Sequence, residues 1–163
     1  MTPGSSADWE ARIRNAWRDA TAPGKRVVRG FVNLESPRSM SDGDGRDAQD
    51  WLAGKHWDEI ASDWKIDVEP ALHYLTGEAC GYFLGGYLLE LSQGLDSGCS
   101  GDYTPLHFSL FLGSERFGEI IHQLSEEQRS VLFHFVQVMI GNRQIFNLED
   151  RYIESLQKAA ALL

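Results

Sequence analysis

The sequence predicts an all-α, single-domain, irregular bundle of five to seven helices. Three observations carry this. Apolar residues recur at three- and four-residue spacing in several separate stretches, helix-start signatures precede them, and only residues 26–34 have the composition of an extended segment. With 163 residues and 42% hydrophobic content, the chain can bury one substantial core and is too short for two ordinary domains.

The first seven residues are expected to be disordered, with the helical domain spanning 8–163. From Asp8 to Ala20, Trp9, Ile13 and Trp17 share one face at spacing four, and Pro23-Gly24 ends the pattern. Residues 26–34 (RVVRGFVNL) read as a short strand or connector with no evident pairing partner. Residues 35–47 carry Pro, Gly, Ser and Asp at loop density and are expected to be mobile, after which Trp51 and Leu52 close a short helix.

Thr76 is the expected N-cap of the main apolar helix, with Glu78 in its first turn. Ala79, Tyr82, Phe83, Tyr87, Leu88 and Leu91 give its periodicity, and Gly94 with residues 96–101 its end. Within it, Gly77, Gly81 and Gly85 repeat every four residues to form a bare stripe. Each interior glycine costs about 1 kcal/mol against alanine, so close packing of a neighbour must compensate. Ser125-Glu126-Glu127-Gln128 is a capping box for a helix that Gly141-Asn142 stops, and a last helix is expected from about Asn147.

Several chemistries lack their residues. A net charge of -9 disfavours non-specific nucleic-acid binding, and the basic run Lys25-Arg26-Val27-Val28-Arg29 holds only three cations. The five histidines and two cysteines, Cys80 and Cys99, make no zinc spacing, so neither metal nor other cofactor is expected. Asp42, Asp44 and Asp47 fail as a calcium loop because Asp47 stands where glycine is required and Ala53 where a bidentate glutamate is required. The N-terminus has no signal-peptide pattern, and the longest apolar stretch is cut by Glu90, so a cytoplasmic protein away from the membrane is expected. Ser130, His134 and Gln137 form a polar stripe on one helix face, but no nucleophile-elbow motif accompanies them and no catalytic residue is assigned.

Trp57-Asp58-Glu59-Ile60, followed by Leu75-Thr76-Gly77-Glu78-Ala79-Cys80-Gly81-Tyr82-Phe83-Leu84-Gly85-Gly86-Tyr87-Leu88, resembles the core of a bacterial domain-of-unknown-function family. Its members read W-x-x-I and then L-T-P-E-A-F-x-Y-Y-L-P-A-Y-L. Leu124-Ser125-Glu126-Glu127-Gln128 is similar to the family's L-[ST]-x-x-Q. The resemblance implies an all-α fold and brings no catalytic residues. Gly77 and Gly85 replace the family's prolines and Cys80 an aromatic residue, so a bend or break is expected near Gly85, dividing the helix into Gly77–Leu84 and Tyr87–Gln93.

In size and charge the chain is also similar to immunity proteins that neutralise a bacterial toxin encoded beside them. The leading expectation is therefore a non-catalytic protein-binding protein of that kind, docking a basic partner. Its contact residues are expected among the acidic and aromatic side chains Asp42, Asp44, Asp47, Asp50, Trp51, Trp57, Asp58, Glu59 and Asp63. An interaction or structural module of other role is the alternative, followed by a hydrolytic enzyme.

Overall fold

The computed structural model describes residues 3–35, 43–62, 71–98 and 103–163. Among them the chain forms eight α-helices and no strand: α1 (Ser6–Trp17), α2 (Gly43–Leu52), α3 (Glu59–Ser62), α4 (Gly77–Ser97), α5 (Thr104–Leu112), α6 (Glu115–Ile120), α7 (Glu126–Gly141) and α8 (Asp150–Leu162). The architecture is the all-α bundle expected. Its eighth member, α3, is a single turn. No helix among the described residues is long and apolar enough to cross a membrane.

Residues 3–7, the described part of the stretch expected to be disordered, make several polar contacts. Ser5 caps α1 in a capping box with Asp8, and the Trp9 indole N–H donates to the Pro3 carbonyl at 2.6 Å. The Ser6 hydroxyl then donates to the Ser92 carbonyl of α4 at 2.6 Å. Helix α1 therefore starts at Ser6 rather than Asp8, and it stops at Trp17, well before Pro23. Residues 43–47, expected within a mobile loop, are instead the opening of α2. The rest of that expected loop, 36–42, lies outside the described residues.

The segment 26–34 does find a partner. Val28 and Leu75 form an isolated antiparallel bridge, with Arg29 N–H donating to the Tyr74 carbonyl at 2.7 Å and Thr76 N–H to the Val27 carbonyl at 2.9 Å. A single bridge has no alternating pattern on its second strand, so sequence periodicity does not announce it. The Arg26 guanidinium is consumed here, donating to the carbonyls of Val28, Arg29 and Val32. Gln49 of α2 clamps the same segment, accepting from Val27 N–H at 2.8 Å and donating to the Lys25 carbonyl at 2.7 Å.

Helix α4 is the spine. Thr76 caps it through Ala79 N–H as expected, and residues 79–89 are all buried. The helix runs unbroken through Gly85 and Gly86 to Ser97, which corrects the expected break. Glycine at the position of the family's proline keeps its amide N–H, so the i to i−4 ladder continues. Gly94 does not end it either; Gly98, at φ 78°, is the C-cap.

The glycines serve packing. A Cβ on Gly85 would stand 2.7 Å from the Trp17 ring, and one on Gly86 would collide with the Trp57 carbonyl and the Ile60 side chain. Trp17 is fully buried and its indole N–H donates to the Gly81 carbonyl at 2.9 Å. Thus α1 and the turn into α3 sit directly on the backbone of α4. On the other side α1 meets α7, where the Trp9 and Phe135 rings stand edge to face at 5.0 Å.

Helices α5 and α6 pack beside α4, and α8 closes the bundle against α5 and α7. The last helix begins at Asp150 rather than near Asn147. Asn147 takes a left-handed φ of 54°, and Arg143 bridges the turn by donating to the Leu148 carbonyl at 3.1 Å and to Asp150 at 2.8 Å. His73, in the turn before α4, stands edge to face with Phe111 of α5 at 5.3 Å. Burial lowers its pKa from the ordinary 6.5, and the neighbouring charge of His107 acts the same way.

Two tests follow from this packing. Gly86→Ala gains about 1 kcal/mol of helix propensity and meets an overpacking cost of about 1–3 kcal/mol, so it lowers the urea midpoint. Gly141→Ala, where an added Cβ meets nothing within 4 Å, leaves the midpoint unchanged or raises it. Equal behaviour of the two variants would contradict a packing role for Gly86. For His73, the folded protein binds the proton less tightly than the unfolded chain. Its contribution is complete above pH 6.5 and is lost as pH falls through that value towards the lower folded pKa. A melting series from pH 7.5 to 5 shows a smaller decline for His73→Gln than for the wild type.

Candidate functional site

A concavity of about 580 Å³ opens where the end of α1, the start of α4 and the start of α7 converge. Local sequence explains its walls. Gly81 has no side chain, so the 3₁₀ turn Ile121–Gln123 can lay Gln123 against α4, where an added Cβ would stand 3.2 Å from the Gln123 Cβ. Ser125 and Gln128 then exchange hydrogen bonds of 2.9 and 3.1 Å in the expected capping box, which turns the chain sharply into α7.

Asp19, Glu78 and Glu127 bring three carboxylates to this cleft, and no lysine or arginine is among the described residues lining it. Glu78 and Glu127 occupy the first turns of α4 and α7, where a negative charge is favoured by the helix dipole. Asn15 of α1 spans towards α7, its amide donating to Glu127 at 2.5 Å.

A second concavity of about 250 Å³ adjoins the first across Tyr82, which lines both. Tyr82 is 5% exposed. Burial raises the pKa of its phenol from 10, the carboxylates of Asp58 and Glu59 add to this, and a backbone hydrogen bond with Trp57 opposes it. The phenol is therefore protonated at neutral pH. Lys55, His56 and Glu59 complete the polar wall.

Behind this wall lies a charged cluster. His56 Nδ1 meets Asp58 at 2.6 Å, Arg14 of α1 meets the other Asp58 oxygen at 2.7 Å, and Arg14 also bonds Glu10 at 2.8 Å. Burial alone would raise the Asp58 pKa, but hydrogen bonds from His56 and Arg14 outweigh it and hold the carboxyl below its ordinary 3.8. The imidazole is oriented as a general base would be. Yet no Ser, Thr or Cys is among the described residues lining the adjoining cavity. The cluster links α1 to the turn before α3.

The contact residues expected from sequence are dispersed by the fold. Trp51 and Trp57 are 7% and 2% exposed, so neither can anchor a partner at the surface. Lys55 caps the Trp51 ring at 4.9 Å, and Trp57 packs 6.4 Å from Trp17. Asp58 is engaged by Arg14 and His56, while Glu59 lines the smaller cavity. Asp44, Asp47 and Asp50 lie on α2, and neither Asp47 nor Asp50 is among the described residues lining either cavity. Asp42 and Asp63 lie outside the described residues.

The carboxylates that do converge, Asp19, Glu78 and Glu127, are 108 positions apart from first to last. Each was legible only as an isolated charge or helix-start residue. The Ser130–His134–Gln137 stripe makes no serine–histidine dyad: His134 Nδ1 bonds the backbone carbonyl of Ser130 at 2.8 Å, not its hydroxyl. Cys80 is buried, and burial pushes its thiol up to about 12, against the opposing effect of Arg116. Cys99 lies outside the described residues. Among the described residues no group of three or more His, Cys, Asp and Glu side chains could hold a metal ion.

Comparison with protein-family models, curated proteins and solved structures finds no match.

Asp58→Asn tests the charged cluster. Partly exposed ion pairs contribute about 1 kcal/mol or less, so a loss of that order is expected at pH 7. Because its folded pKa is lowered, the Asp58 contribution is present above pH 3.8 and disappears as pH falls through the lower folded value. The wild type and Asp58→Asn should therefore converge in stability on acidification. A constant gap down to pH 2 would remove the ion-pair explanation.

Proposed function

We propose that this chain is a non-catalytic protein-binding protein that presents the acidic cleft between α1, α4 and α7 to a basic partner. In this reading it acts as an immunity protein does, covering the working surface of a toxic effector. One observation carries it: Asp19, Glu78 and Glu127 converge on an open concavity whose described lining holds no lysine or arginine, on a chain of net charge -9. A field of one sign in a cleft steers an oppositely charged partner and raises its association rate.

Burial of the Trp51 and Trp57 rings favours this cleft over the acidic and aromatic segment 42–63. The indoles of Trp51 and Trp57 are spent on the core, while Glu78 and Glu127 sit in the first turns of α4 and α7 and Asp19 lies in the turn after α1, its carboxylate 3.3 Å from Arg18. The bacterial setting comes from the family resemblance.

The experiment is affinity capture from the native host, followed by measurement of the captured partner against the triple variant Asp19→Asn, Glu78→Gln, Glu127→Gln. We expect association to slow at least tenfold at low salt, with the wild-type rate falling towards the variant's as salt is raised. Far-UV circular dichroism and thermal midpoint check that the variant remains folded. Since each first-turn carboxylate contributes about 0.3–1 kcal/mol to its helix, a modest fall in midpoint is expected. A partner that binds wild type and variant alike, with no salt dependence, would falsify the cleft as the docking site. Should the partner prove harmless to host cells lacking this chain, the immunity role fails while the binding role survives.

A further inference from the structure

We draw no further inference here: the strongest candidate, the exposed Phe31 ring in the loop after the Val28–Leu75 bridge, stacked under the Arg29 guanidinium and beside Tyr74, carries nothing because nothing in the structure shows what covers it.

Discussion

The fold depends on how closely other elements can approach the backbone of α4. At Gly85 and Gly86 there is no side chain to hold neighbours off, and the indole of Trp17 and the carbonyl of Trp57 come down onto the helix itself. Each interior glycine costs helix propensity, and each returns it through dispersion contacts and, at Gly81, through the carbonyl exposed to the Trp17 indole N–H. Because that N–H is fully buried, its hydrogen bond fixes not only how deeply α1 sits but also its position along α4.

The acidic cleft is a consequence of that contact. Trp17 sets the end of α1 beside the first turns of α4, and bare Gly81 admits the turn that delivers Gln123 and the start of α7. Asp19, Glu78 and Glu127 then converge because three helix ends converge. Two of the three carboxylates also satisfy a local requirement, since they complement the N-terminal dipoles of their own helices. One set of side chains thus serves the helices individually and charges the cleft collectively.

The second set of charges works differently. Arg14, Asp58, His56 and Glu10 are mutually satisfied, so they tie α1 to the turn before α3 and leave little field for a partner. The same holds for the basic stretch at 25–29, where Arg26 is occupied by three backbone carbonyls. Local runs of one charge in the sequence are therefore a poor guide to the electrostatic surface. What matters is which charges the fold leaves facing one another across open space.

Much of the fold was legible in particular residues. Thr76 and the Ser125–Gln128 box start their helices as expected, and Asn142 stops α7, because capping depends on hydrogen bonds within one turn of chain. The glycine repeat announced a close approach on α4 but not its partner, and the resemblance to a proline-bearing pattern pointed to a break that the retained amide of Gly85 avoids. Trp51, Trp57 and the aspartates near them looked like a surface because they neighbour one another in sequence; burial separated the rings from the carboxylates. By itself the sequence determined the helical class, the caps, the net charge and the bare stripe, since these depend on periodicity, on short-range hydrogen bonds and on composition. Only the tertiary structure decided that Trp17 covers Gly85, that the Trp57 carbonyl covers Gly86 and that Asp19, Glu78 and Glu127 share a cleft, because proximity between residues 29 to 108 positions apart leaves no local trace in the chain.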